Sequence, residues 1–210
     1  MNAFDEAYKQ RPLLFGAEPT PELVDAIKYF PIGGRALELG CGDGRDTLCV
    51  LESGLHVVAL DLSEYAIKHL LEREEIKPFV PHALAARVAD ITKENLGSEL
   101  YDFIYGITVM ENFSRGQQEI LESRMLNALT PGGYLFLTVH TEEDDGFNGD
   151  GSEFASEIKY YYKKSELLER LMPKGRVLYY KEAREEDIWH GAPHFHSFAH
   201  ILLQKMESES

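Results

Sequence analysis

A chain of 210 residues, 44% of them hydrophobic and 27% charged, is long enough for one well-cored domain and too apolar for intrinsic disorder. Its 36 acidic against 21 basic residues give a formal net charge of −15, a field that repels phosphate backbones and anionic lipid. Cys41 and Cys49 are too few for a disulfide framework, no apolar run reaches the ~18–20 residues of a membrane span, and the N-terminus has no basic-then-apolar leader, so a soluble cytoplasmic protein is expected.

Residues 1–30 read as helical and irregular, with Pro12, Pro19 and Pro21 as breaks. Short apolar or β-branched runs then recur, and 35–39, 56–61, 103–107 and 134–139 read as strands, with 83–89 a weaker fifth. Such near-continuous apolar strands want cover on both faces, the habit of parallel sheets. Between them, Ile67, Leu70 and Leu71 follow the N-cap candidate Ser63, and Leu121, Met125 and Ala128 keep helical spacing. Pro131-Gly132-Gly133 reads as a helix stop and turn. Next comes a long polar loop, 141–151, whose Glu142, Glu143, Asp144 and Asp145 read as a solvated run. The last third reads as a helix over 165–172 and strands over 176–181 and 195–203, close enough to pair antiparallel. The alternation predicts a doubly wound, Rossmann-like α/β sheet with helices on both faces. No repeat or linker divides 1–210.

The chemistry concentrates where the first strand ends, in Glu38-Leu39-Gly40-Cys41-Gly42-Asp43-Gly44. Glycines there permit a tight turn and close approach of backbone N–H groups to a ligand, and the following helix adds its positive N-terminal end. Asp61, with Leu62 beside it, ends the next strand, where a carboxylate can accept both hydroxyls of a ribose. Asp90 and Ile91 follow the third strand and suit an adenine amino group, while Gly106 and Ile107 come to the cofactor edge from the fourth. A dinucleotide site wants G-x-G-x-x-G, whose third glycine would fall at Arg45. Glu38 also argues for a sulfonium and ammonium zwitterion, because a carboxylate beside a pyrophosphate is unfavourable. S-adenosylmethionine is the expected cofactor; a nicotinamide or flavin cofactor, and a glycine turn without a ligand, are the alternatives.

In order, the 38–44 loop, Asp61, Asp90, residues 101–108 and Leu129-Thr130-Pro131-Gly132-Gly133-Tyr134 resemble the motifs of class I S-adenosylmethionine-dependent methyltransferases over about residues 30–140. More narrowly, residues 39–46, Tyr160-Tyr161-Tyr162-Lys163-Lys164-Ser165-Glu166-Leu167 and Phe198-Ala199-His200 look like the tellurite-resistance (TehB-type) methyltransferases and their small-molecule relatives. The resemblance implies a seven-stranded, mainly parallel sheet with an antiparallel last strand. It further implies a lid from residues 1–30, with Tyr8 and Phe15 as its aromatic candidates, then a cofactor half (31–140) and a substrate-side half (141–206). S-adenosyl-L-homocysteine would be the product. The Asn/Asp-Pro-Pro-Tyr sequence of nucleic-acid amino-methyltransferases is replaced by Gly106-Ile107-Thr108-Val109-Met110-Glu111-Asn112-Phe113. A small-molecule acceptor is therefore expected, with no nucleic-acid or membrane partner, for a monomer or homodimer.

Four histidines crowd Trp189-His190-Gly191-Ala192-Pro193-His194-Phe195-His196-Ser197-Phe198-Ala199-His200. Alternation would put His194, His196, Phe198 and His200 on one face of a strand. That face is read as a substrate wall, with His190 or His196 as the catalytic base; an exposed strand edge is the plain alternative. No acid or cysteine completes a recognised ligand pattern, so no metal is expected. His190 matches the histidine of the tellurite-resistance enzymes, but Gly191 and Ser197 stand where that resemblance would put two arginines. Without those guanidiniums the bidentate grip on an oxyanion is missing, and a neutral or thiol-bearing acceptor fits at least as well. Glu111 and Asn112 offer polar contacts near the expected methyl group, or simply precede a helix.

Overall fold

The computed structural model describes residues 3–149, 154–187 and 194–207. One sheet runs through them in the strand order β3-β2-β1-β4-β5-β7-β6. Its strands are β1 (Arg35–Leu39), β2 (His56–Asp61), β3 (Leu84–Val88), β4 (Tyr101–Ile107), β5 (Leu129–His140), β6 (Gly175–Asp187) and β7 (His194–Lys205). Pairings among β1 to β5 are parallel, and β7 lies antiparallel between β5 and β6. The predicted doubly wound sheet with an antiparallel last strand is therefore present. β7 is an interior strand, so the exposed-edge reading of its histidines fails: His194, His196 and His200 are all buried.

Among the described residues six α-helices flank the sheet: α1 (Ala3–Gln10), α2 (Pro21–Ala26), α3 (Arg45–Glu52), α4 (Glu64–Glu72), α5 (Arg115–Ala128) and α6 (Glu166–Leu171). Side chains alternate across each strand, so neighbours serve different cores. Leu37, Ile104 and Leu135 pack with Leu121 and Met125 of α5 and Leu167 of α6. Ala36, Phe103 and Phe136 pack instead with Leu23 of α2, Val50 of α3 and Leu70 of α4. Ser63 caps α4 as predicted, its Oγ accepting from the Ala66 N–H at 3.2 Å.

Two sequence expectations need correction. Helix α5 does stop at Ala128, but Pro131-Gly132-Gly133 is no free turn. Leu129 already pairs with Tyr101 and Tyr134 pairs with Phe103, so the intervening residues bulge out of β5, with Gly132 at φ +76°. Nor is the acidic run simply solvated. Asp144 is fully buried, its Oδ1 accepting from the Gly146 N–H at 2.8 Å and its Oδ2 from the Ser197 N–H at 2.9 Å. Asp145 Oδ2 accepts from the Phe195 N–H at 3.0 Å. Backbone donors on β7 and in the loop itself stitch this segment down, which no local polarity pattern could reveal.

The N-terminal segment lies over the loop between β1 and α3. The Leu14 N–H donates to Asp43 Oδ2 at 3.0 Å and the Thr20 N–H to Asp46 Oδ1 at 2.7 Å. Arg45 donates to the Phe15 carbonyl at 3.2 Å and to Asp46 Oδ2 at 2.8 Å. Phe4 stacks on Phe154 at 4.7 Å, and Phe15 meets the same ring edge-on at 5.6 Å. Asp46→Ala removes the acceptor from a buried N–H and a part-buried guanidinium, so a loss of about 1–3 kcal/mol in urea unfolding is expected. Faster amide exchange at Thr20, with β4 amides unchanged, is the accompanying signature; equal protection at Thr20 in both proteins would refute the anchor.

Candidate functional site

The strand order reverses between β1 and β4, and in α/β sheets that switch point opens a crevice at the carboxyl ends of the strands. A cavity of about 620 Å³ sits there. Its floor is the glycine loop, with Glu38, Gly40, Cys41, Gly42 and Asp43 all facing it. Asp61 and Leu62 from β2, Asp90 and Ile91 after β3, and Ile107 from β4 line one side, and Tyr8 closes the top. The structure thus brings most of the sequence-predicted cofactor residues to one place.

The exceptions are instructive. Gly44 and Gly106 do not border the cavity but serve packing. Gly44 begins α3 with φ +86°, and a Cβ there would meet Leu70 Cγ at 2.8 Å, so this glycine lets α3 and α4 approach. A Cβ at Gly106 would meet Val109 Cγ1 at 2.8 Å. Asp43 borders the cavity, yet its Oδ2 is engaged by the lid at Leu14.

Asp61 is the centre of the floor. Its Oδ2 accepts from the Gly42 N–H and its Oδ1 from the Ser63 N–H, both at 2.8 Å. Burial raises its pKa, opposed by those backbone donors. Gly42 has φ +54°, and a Cβ there would lie 2.4 Å from Tyr8 Oη. Burial first, then the nearby Asp61 and Asp43 carboxylates, push the Tyr8 phenol well up, which keeps it neutral. Glu38 is buried beneath the loop and accepts from Thr47 Oγ1 at 2.5 Å. Asp90 differs: Lys93 at 2.8 Å and the Thr92 hydroxyl at 2.6 Å hold its carboxyl down at about 2.

The opposite wall comes from β5, β7 and the turn after β4. Thr108 enters that turn at φ +48°, a strained conformation for a β-branched residue. Glu111 and Asn112 follow in a 3₁₀ turn that faces the cavity, and α5 begins only at Arg115. His140 ends β5, and Phe198 pairs with it across β7. His196, Phe198 and His200 share the cavity-facing side of β7, so the substrate-wall placement fits this strand; His190 lies outside the described residues.

Sequence reasoning missed the partners of these histidines. His140 Nδ1 sits 2.5 Å from Glu111 Oε1. His196 Nδ1 is 2.9 Å from Asp144 Oδ2, and its Nε2 is 3.1 Å from His194 Nε2. Burial works to lower the His140 pKa, but Glu111 overcomes it and the net direction is upward. Burial lowers His200 to about 4 despite Glu22 nearby, so His200 is neutral; its Nδ1 meets Thr138 Oγ1 at 3.1 Å. The missed signal was His140 itself, a histidine closing an otherwise apolar strand.

A family model described as "Tellurite resistance protein TehB" matches residues 14–179. A probable S-adenosyl-L-methionine-dependent methyltransferase TehB of Haemophilus influenzae is 30% identical over 153 residues, covering 70% of this chain and 51% of the relative. A probable thiol methyltransferase 2 of Arabidopsis thaliana is 29% identical over 119 residues, covering 56% of this chain and 52% of the relative. The chain therefore spans about half the length of these curated relatives. Among solved structures, TehB from Haemophilus influenzae superimposes with a TM-score of 0.72 at 25% identity, covering 89% of this chain and 62% of that one. The match over residues 14–179 takes in well over half of the chain and joins it to the same relatives by sequence and by shape: the protein belongs to the TehB family.

Proposed function

We propose that the protein is an S-adenosylmethionine-dependent methyltransferase acting on a small molecule by direct, in-line methyl transfer, within one domain whose residues 31–140 hold the cofactor. The observation that carries this reading is Asp61, a half-buried strand-end carboxylate fixed by the Gly42 and Ser63 N–H groups at the floor of the cavity. Each of its oxygens keeps a further lone pair for a ribose hydroxyl. The other residues present fit the same cofactor. Asp90 can accept from an adenine amino group, and Tyr8 and the loop glycines cover the ligand. Glu38 becomes the negative partner of the ammonium and sulfonium once their charge draws off the proton that burial keeps on it.

When bound, the cofactor supplies a methyl group already activated on sulfur. The chain's own task is to align the acceptor opposite the departing sulfur and to exclude water, and alignment of this kind is worth up to about 7–11 kcal/mol. The aromatic cluster of Phe4, Phe15 and Phe154 roofs the cavity for that purpose. The acceptor side belongs to His196, His140, Glu111 and Asn112. Among the described residues the only cations lining the cavity are Arg45 and Lys159, and Arg45 is already paired with Asp46. A thiol or amine acceptor is thus favoured over an oxyanion. No described helix is long and apolar enough to cross a membrane.

Binding tests the cofactor. S-adenosylhomocysteine at about 100 times its dissociation constant should stabilise the protein by about 2.7 kcal/mol in a thermal-shift assay. Asp61→Ala should weaken that binding by at least about 10–100-fold, the equivalent of a single hydrogen bond to a charged group at about 1.5–3 kcal/mol. A shift with NADH and none with S-adenosylhomocysteine would instead favour a nicotinamide oxidoreductase. Turnover is tested with a thiol and amine panel read by mass detection. Methylated product is expected, and His196→Ala should lower its rate while leaving S-adenosylhomocysteine affinity unchanged. Tight cofactor binding with no product from any acceptor would point to a non-catalytic binding protein.

Glu38 supplies a pH test. Burial pushes its carboxyl up from 4.5 to about 8, against the hydrogen bond from Thr47. A raised acid contributes stability that is fully present below its unfolded pKa and lost as pH climbs through the folded one. Glu38→Gln keeps the acceptor but never ionises. The melting temperature of the variant minus that of the parent should therefore grow from about pH 4.5 to about pH 8 and level off above, and cofactor affinity should fall. A difference independent of pH would rule out a neutral buried Glu38.

A further inference from the structure

We propose that His140, Asp144 and His196 form a binding site for a divalent transition-metal ion, of the zinc, cobalt or iron(II) class, at the acceptor end of the cavity. Their donor atoms all lie within 4.8 Å of one another, two of the three residues are buried and the third nearly so. They come from separate elements, the end of β5, the loop behind it and the start of β7, and the sheet brings them together.

Every donor is oriented. Glu111 Oε1 holds the Nδ1 side of His140 at 2.5 Å, which turns Nε2 toward Asp144 Oδ2 at 3.9 Å. That separation exceeds hydrogen-bond reach, yet it suits two ligands of one ion, since bonds of about 2.0–2.2 Å to a common metal place their donors roughly 3–4 Å apart. A ligating histidine that gives its other nitrogen to a carboxylate is the usual outer-shell arrangement of such centres. Asp144 is pinned by the Gly146 and Ser197 N–H groups at 2.8 and 2.9 Å. His196 reaches the same Oδ2 at 2.9 Å.

An independent observation points to a cation. Among the described residues Glu111 Oε2 is buried with no hydrogen-bond partner, and Glu111 and Asp144 are exposed by only 1% and 0%. With both imidazoles in the neutral form that binds a metal, the two buried carboxylates leave negative charge for a dication to neutralise. Two nitrogens and one oxygen suit zinc, cobalt or iron(II), whereas magnesium and calcium prefer oxygen alone. The sequence reading found no acid to complete a ligand set, because Asp144 reaches the histidines only after the loop folds onto β7.

Three protein ligands leave a coordination position open. Its use rests on the methyltransferase reading above: an acceptor thiol binds there through sulfur and loses its proton to solvent, because the ion stabilises the thiolate. A sulfur lone pair then forms the bond to the methyl carbon, and the carbon–sulfonium bond breaks with its electron pair left on the cofactor sulfur. Neutral S-adenosylhomocysteine and the methyl thioether result. His196 is in this account a metal ligand rather than a base.

The test needs no cofactor and no turnover, so it fails or succeeds separately from the methyltransferase reading. Chelator-treated, tag-free protein is titrated with Co²⁺, following visible d–d absorption, and ions per chain are counted by native mass spectrometry. One Co²⁺ per chain is expected, displaced by Zn²⁺. Asp144→Asn and His196→Gln should each weaken uptake at least about 100-fold, and Glu111→Gln by about 10–100-fold as an orienting residue. Circular dichroism checks that each variant is folded. No uptake by the parent protein overturns the proposal, which needs no variant to fold. So does uptake that survives Asp144→Asn and His196→Gln, or uptake abolished only by His200→Ala, which would place the ion with Glu22, Glu185 and His200, a second donor group within 4.8 Å among the described residues.

Discussion

The Asp61 carboxylate, gripped at 2.8 Å by the N–H groups of Gly42 and Ser63, is the contact on which the cavity depends. Burial raises the pKa of this half-buried carboxylate, and the two backbone donors oppose that rise, which favours its acceptor form. They also join two turns that sequence separates. Gly42 belongs to the loop after β1, whereas Ser63 caps α4 and donates through Oγ to Asp5 Oδ1 of α1 at 2.7 Å. One side chain therefore sets the spacing of the first two strand ends and, through Ser63, the seat of the N-terminal segment. Gly42 has to be glycine on both counts: its backbone is left-handed, and Tyr8 Oη occupies the place of a Cβ.

The acids of the cavity floor and the one behind its histidine wall divide by what opposes their burial. Asp61 and Glu38 are raised, because burial outweighs the neutral hydrogen bonds they receive. Asp144 is lowered: burial is overcome by His196, His140 and the Ser197 N–H. The floor is thus arranged for a ligand that brings its own positive charge, while the acceptor wall already pairs carboxylates with imidazoles. A cationic ligand at the floor and a cation-binding histidine cluster at the wall follow from the same electrostatic reasoning applied to two sets of partners.

What could be seen in the sequence was what is local. The glycine loop, Ser63 and the strands β1 and β2 are short patterns whose meaning does not depend on distant residues, and the structure reproduces them. The alternation of His194, His196, Phe198 and His200 was also visible, because a strand has period two. Their burial was not, since it depends on β7 inserting between β5 and β6. Asp144 was misread for a related reason: among Glu142, Glu143 and Asp145 it looks like any solvated acid, and only the Ser197 N–H and His196 distinguish it. The bulge at Pro131-Gly132-Gly133 shows the reverse case, a strong local turn signal absorbed into a strand by long-range pairing with β4.

The reversed direction of β7 explains where the proposed acceptor wall sits. In the parallel strands it is the last residues that reach the cavity edge: Asp61 from β2, Ile107 from β4, His140 from β5. β7 runs the other way, so its first residues arrive at that edge, and Phe198 pairs with His140 while His200 pairs with Thr138. The wall is consequently built from the start of one strand and the end of its neighbour, plus the loop that leaves β5. None of these segments contributes to the Gly42–Asp61–Ser63 contact. Substitutions at Asp144, His196 or Phe198 therefore change the proposed acceptor wall and leave the Gly42–Asp61–Ser63 contact in place, whereas a change at Gly42 or Asp61 acts on both the floor and the lid above it.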